Sequence, residues 1–143
     1  MNVQLTPKDV SQFKYVILGN PIAWARPGKT KYCRSYDTQQ AQKEEYGWHL
    51  KIEHKGLPLF TGPLHLDIVF YMPLSSTAKN QAFPERIGKY HDKVPDLDNM
   101  IKFICDAIQN DILITDDKII VSIVAKKVYD LVPRTEFYLM EIR

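Results

Sequence analysis

Cysteine is scarce in this chain: Cys33 and Cys105 are the two present among 143 residues. Neither belongs to a CxxC pair or sits at zinc-ligand spacing from histidines, so a zinc-finger framework and a disulfide scaffold are both excluded and two free thiols are expected. Long apolar runs are lacking as well. No stretch approaches the roughly 18 to 20 residues of a membrane-spanning helix, and the polar opening Met-Asn-Val-Gln-Leu-Thr-Pro-Lys has none of the layout of a signal peptide. The expectation is a soluble cytoplasmic protein with no membrane partner. Repeats and low-complexity tracts are also absent, which excludes a solenoid.

What is present suits a single domain over residues 1–143, since a hydrophobic content of 45% supports one core of ordinary size. The net charge of +2 conceals an asymmetry. Thirteen basic and eight acidic side chains precede Asp96, whereas six basic and nine acidic ones follow from there. Arg26, Lys29, Lys31 and Arg34 form an acid-free basic loop around Pro27 and Gly28. Such a loop is either a solvated surface or a contact for a polyanion.

Strand-like composition marks Phe13 to Gly19, and Pro63 to Pro73 alternates with Leu64, Leu66, Ile68, Phe70 and Met72 on one face. His65 and Asp67 fall on the other face, where a structural role is the expectation. Asp37 to about Lys55 reads as a helix capped by Asp37 or Thr38, with Ala41, Trp48 and Ile52 as its apolar stripe and Gly56 as its terminator. Residues 74–95 make a long basic connection, and connections of that length are as a rule functional or mobile. Its Lys79, Arg86, Lys89, His91 and Lys93 are interleaved with Phe83 and Tyr90, as if to follow a nucleic-acid backbone. Asp96 to Gln109 reads as a second helix, followed by a short strand at Ile112 to Ile114, a long strand from Ile119 to Tyr129 and a closing strand from Thr135 to Ile142. The fold class is α+β: a mixed sheet of about five strands with two main helices packed on it.

Two aspartate pairs carry the chemistry, Asp96 and Asp98 in Pro-Asp-Leu-Asp-Asn-Met-Ile-Lys and Asp116 and Asp117 in Ile-Thr-Asp-Asp-Lys. Capping accounts for Asp96 alone, an intrahelical ion pair accounts for Lys102 four residues beyond Asp98, and a turn accounts for Asp116-Asp117. Several carboxylates brought close raise one another's pKa, and a cation keeps them ionised. All-oxygen ligation selects a hard ion, Mg2+ or Mn2+, able to polarise a phosphodiester and activate water. Lys102 would then neutralise charge developing at phosphorus. Asn99 and Asp106 lie along an adjoining helix face. If residues 116–124 are extended, parity groups Asp117 with Ile119, Val121 and Ile123, the apolar series, which makes Asp117 the preferred ligand over Asp116.

The run Pro-Asp-Leu-Asp-Asn-Met-Ile-Lys, then Asp106-Ala107, Asp-Asp-Lys-Ile-Ile and Lys-Val-Tyr resembles the RusA-type Holliday junction resolvases, which phages and prophages often carry. The resemblance is specific over residues 91–129, and it is weakly supported by the early Gly-Asn-Pro-Ile-Ala-Trp-Ala-Arg-Pro-Gly-Lys. Gly28 departs from the family there, where a basic residue often follows Arg-Pro. The resemblance implies that Asp96, Asp98 and Asp117 bind Mg2+, with Mn2+ as a substitute, and that Lys102 is essential. Asp106 and Asp116 match motif positions of accessory role. It further implies a homodimer that nicks four-way junction DNA symmetrically, in a bacterial or phage-infected cell, during recombination and repair. Arg26, Lys29, Lys31, Lys89, Lys93 and Lys127 are the candidate DNA contacts. Ten residues of strand, roughly 30 Å, keep Lys127 out of the shell around Asp117. Two other readings remain: a branched-DNA-binding protein without cleavage, and a metal-dependent phosphoesterase acting on flap DNA or nucleotides.

Overall fold

The computed structural model describes residues 12–26, 28–32, 35–74 and 84–142. Cys33, Arg34, Lys79 and Phe83 lie outside them. In chain order the elements are β1 (Gln12–Leu18), β2 (Gly28–Lys29), β3 (Ser35–Tyr36), α1 (Gln40–His54), β4 (Leu64–Pro73), a 3-10 turn (Pro84–Arg86), α2 (Leu97–Ile108), a second 3-10 turn (Asp117–Ile119), β5 (Ile120–Asp130) and β6 (Arg134–Glu141). The class is α+β, with a mixed sheet and two helices. These elements fall into two compact units. One comprises the described parts of Met1–Pro21, Phe60–Val94 and Lys118–Arg143, and the other those of Ile22–Leu59 and Pro95–Asp117.

The first unit is a four-stranded sheet in the order β1-β6-β4-β5, with β6 antiparallel to both β1 and β4, and β4 parallel to β5. Its central strand β4 alternates as its sequence demands: Leu64, Leu66, Ile68, Phe70 and Met72 are buried. Opposite Ile68 stands Phe137, which pairs in turn with Tyr15 and stacks on its ring at 5.1 Å. This row of large side chains on one face is what holds three strands in register. On the other face His65 Nδ1 meets Ser122 Oγ at 2.8 Å, a cross-strand bond that gives this histidine a structural role. Beyond β5, residues 88–91 are pinned to its edge, with Gly88 N–H donating to Tyr129 O, Tyr129 N–H to Lys89 O and His91 N–H to Lys127 O.

β5 itself departs from expectation. Val121 and Ile123 are 62% and 44% exposed, so the series grouped with Asp117 does not form a buried face. Nor is Ile112–Ile114 a strand. Asn110 and Asp111 adopt positive φ values of 59° and 65°, a region that these short polar side chains tolerate better than most. The chain therefore doubles back, with Leu113 and Ile114 N–H groups both donating to Ile108 O.

The second unit holds α1, α2 and the small β2–β3 hairpin, the last within the basic loop that sequence left without structure. α1 buries Tyr46, Gly47, Leu50 and His54, whereas Trp48 and Ile52 are 72% and 71% exposed and Ala41 is exposed too. The expected stripe is thus the outward one. Residues 46, 50 and 54 share the spacing of 48 and 52, and only partners choose between two such rows. Tyr46 meets the Phe103 ring edge-on at 5.2 Å, joining α1 to α2. Gly47 packs closely: a Cβ there would stand 3.1 Å from Ile112 Cδ1, so that side chain would have to give by a few tenths of an ångström. Gln39 occupies the N-cap position of α1, while Asp37 Oδ1 accepts its N–H at 2.8 Å. At the other end Lys55, at φ 55°, and Gly56 close the helix.

Candidate active site on the second helix

Both aspartate pairs, Asp96 with Asp98 and Asp116 with Asp117, lie in the second unit together with Asp106. α2 buries Met100, Phe103, Ile104, Cys105, Ala107 and Ile108. The stripe of Met100, Phe103, Ile104, Ala107 and Ile108 leaves Asp98, Lys102 and Asp106 on the opposite side, as helical spacing requires, while Cys105 is buried outside that stripe. Asp96 holds the N-cap position in extended conformation, φ −69° and ψ 140°, yet its side chain makes no capping hydrogen bond. Its main-chain carbonyl accepts Met100 N–H at 3.2 Å instead. The carboxylates of Asp96 and Asp98 are therefore both exposed at the positive end of a helix, unspent on capping or on any ion pair among the described residues.

Lys102 does not close onto Asp98. Its Nζ lies 4.6 Å from the centroid of the Trp24 ring. A cation over an indole face at that range gains roughly 0.5 to 1 kcal/mol at an exposed site. Trp24 itself is tied to α2, because its N–H donates to Asn99 O at 2.9 Å. The contact of Asn99 is thus a main-chain one.

At the far end of α2 the doubled-back turn delivers Asp117. Its N–H donates to Gln109 Oε1 at 3.3 Å, and it opens a 3-10 turn in which strand parity does not apply. Asp117 is half-buried and Asp116 exposed. Burial first, then the carboxylates of Asp117 and Asp106, push the Cys105 thiol up to about 11. That thiol is protonated at neutral pH, which makes it neither a nucleophile nor a soft ligand in this state. The same shift places Asp117 and Asp106 electrostatically close to Cys105. Asp106 is occupied, with Lys43 Nζ at 3.6 Å and Gln109 Nε2 at 3.5 Å. Cys105 shares the helical row of Asp98 at a rise of roughly 10 Å.

No three acidic, imidazole or thiol side chains among the described residues converge into a ready metal cage. The donors nevertheless fit Mg2+. That ion dehydrates reluctantly and commonly takes one or two protein carboxylates, leaving water and substrate phosphate to complete its shell. Asp96 and Asp98 offer two exposed hard-oxygen donors of this kind.

The basic candidates divide between the units. Arg26, Lys29 and Lys31 are exposed in the second unit, with Lys31 Nζ 5.1 Å from the Tyr32 ring. Lys89, Lys93 and Lys127 belong to the sheet unit, where Lys127 Nζ donates to Lys93 O at 2.6 Å. Two residues of the site went unrecognised in the sequence, Trp24 and Gln39. Trp24 stands inside the quoted early motif; Gln39 gave no signal of its own.

The endodeoxyribonuclease RusA family matches residues 19–140. The chain belongs to this family, and the match takes in residues 37–90, where individual motifs are not distinctive. It is also similar to "Uncharacterized protein YqaN" of Bacillus subtilis (strain 168), 26% identical over 137 residues that span 90% of this chain and 96% of that protein. Among the described residues no helix is long and apolar enough to cross a membrane.

Proposed function

We propose that this protein is a Mg2+-dependent endodeoxyribonuclease that resolves four-way DNA junctions by paired symmetric nicks, as a homodimer, in recombination and repair. The observation that carries the reading is the start of α2, where Asp96 and Asp98 present exposed carboxylates with no ion-pair partner among the described residues, Asp98 one helical turn before Lys102. Family membership supports the same reaction class.

Asp96 and Asp98 would hold the ion, with Asp117 as the third carboxylate and Mn2+ as a substitute metal. When bound, such an ion polarises the phosphodiester and lowers the pKa of its water toward neutrality. Lys102 would meet the charge that builds on the phosphate oxygens, a task suited to a compact ammonium on a long stem. Arg26, Lys29 and Lys31 would hold the flanking backbone, fixing position and strand geometry without reading bases. Asp106 and Asp116 are accessory. Symmetric cutting needs two copies related by a two-fold axis.

The test is a substrate panel of four-way junction, flap and linear duplex, each with and without Mg2+, beside a sizing measurement. Paired nicks in the junction that need Mg2+ are the expected outcome. Junction binding without any cutting would identify a recognition protein, and faster cutting of flaps would identify a different phosphoesterase.

A further inference from the structure

We infer that Trp24 is a positioning residue for Lys102, holding its ammonium along the polar side of α2 and away from the carboxylate of Asp98. The inference rests on the nuclease reading, in which Lys102 acts at the scissile phosphate. It begins from a choice the lysine makes. Asp98 lies one turn earlier, the usual partner for a lysine four residues on. Instead Nζ lies 4.6 Å from the Trp24 ring centroid, and no Asp98–Lys102 ion pair forms among the described residues. An ammonium paired with Asp98 would neutralise a carboxylate that a cation needs. The indole face offers the lysine a partner with no formal charge, so both groups keep their charge available.

The ring is held for this purpose by three consecutive residues. Trp24 N–H donates to Asn99 O at 2.9 Å. On either side of it, Gln39 Nε2 donates to Ala23 O at 2.8 Å and Gln39 Oε1 accepts Ala25 N–H at 3.0 Å. The Gln39 residue is only 7% exposed, a buried polar group whose two ends are both satisfied by this one loop. A buried amide spent in this way fixes a segment that has no ladder of its own. Lysine carries about 2 kcal/mol of rotamer entropy on its four-carbon stem, so a fixed aromatic face is an effective way to limit where its head can go. The loop therefore acts as a splint, with Gln39 clamping the backbone and Trp24 presenting its face to Lys102.

The test uses the full chain in single-turnover cutting of a four-way junction, with Trp24→Leu and Trp24→Phe. Trp24→Leu is expected to slow cutting by about fivefold, the upper end for a cation–π contact at an exposed site when it is lost in the transition state. Junction affinity should stay unchanged. Trp24→Phe keeps an aromatic face and should retain the rate within about twofold. A spectroscopic arm separates positioning from mere folding. The chain has two tryptophans, so a Trp48→Phe background leaves Trp24 as the reporter, and Lys102→Met should then shift its emission. Undiminished cutting by Trp24→Leu, equal losses in both Trp24 variants, or emission indifferent to Lys102→Met would each overturn the inference. If the unaltered protein cuts no DNA, the nuclease reading fails and this role with it, whereas the emission still decides whether the two side chains meet.

Discussion

On the polar face of the sheet, Glu136 receives Lys14 at 3.0 Å and Arg134 at 3.1 Å, while Arg134 also reaches Asp130 at 3.4 Å and lies 3.7 Å over the Tyr71 ring. At the start of α2, by contrast, Asp96 and Asp98 have no ion-pair partner among the described residues, and the adjacent lysine has turned to an aromatic ring. Both regions are rich in charge. The sheet spends its charges on one another, which is what a stabilising network does. The helix start keeps its carboxylates unspent, an arrangement suited to a site that a cation and a phosphate would complete.

The comparison is most sharply tested by Asp98→Asn. It should lower Mg2+-dependent junction cutting by at least about a hundredfold, because even groups one shell removed from a metal cost roughly 10- to 100-fold. Junction binding should persist, and thermal unfolding should move by no more than a surface change does, about 0.5 kcal/mol. Retained cutting would show that the unspent carboxylates are idle. Next in size is the contrast between neighbours: Asp117→Asn should impair cutting at least about tenfold more than Asp116→Asn, the lower bound for perturbing a metal site. The reverse order would make the half-buried Asp117 a structural residue.

Glu136→Gln probes the other side of the comparison. It should leave junction cutting intact and cost at most about 1 kcal/mol in denaturant unfolding, as partly exposed pairs do. A pH dependence belongs to the same network. Burial pushes the Glu136 carboxyl up, but Lys14, Tyr71 and Arg134 outweigh it and hold it below the ordinary value of 4.5. The Val132 N–H, with Arg134, likewise holds Asp130 below 3.8. A depressed carboxyl stabilises the fold above its unfolded pKa and loses that contribution as pH falls through the folded one. Loosening of the sheet should therefore set in below about pH 4.5 and be weaker in Glu136→Gln.

The smallest effect concerns His91. Burial, then the charge of Lys127, lowers its pKa below 6.5, and its Nδ1 is buried without a hydrogen-bond partner among the described residues. A histidine kept neutral by the fold opposes folding once the unfolded chain binds the proton. Hydrogen exchange at the Tyr129 N–H, which bonds Lys89 O, should quicken as pH falls below about 6.5 relative to His91→Phe, after correction for intrinsic rates. Identical behaviour in the two proteins would remove the histidine from that edge.

Much of the fold was legible because β4 and α2 each carry one unambiguous period. The alternation of Leu64 to Met72 admits a single buried face, and the apolar residues of α2 force Asp98 and Lys102 to the other side. α1 was misread for the opposite reason. It carries two apolar rows of equal spacing, and the row containing Trp48 and Ile52 faces outward. Strand parity does not extend to Asp117 either, since a 3-10 turn begins there.

The sequence by itself determined the two main helices and the long strands, the helix start that presents Asp96 and Asp98, and the family motif, all of which depend on neighbours within a few residues. Tertiary structure decided which face of α1 is buried, how the turn at Asn110 and Asp111 delivers Asp117 toward Cys105, and that Lys102 meets Trp24. Those outcomes join residues far apart in the chain. Local periodicity carries no record of such partners, because each was selected by packing space and unsatisfied hydrogen bonds that exist only once the chain has closed on itself.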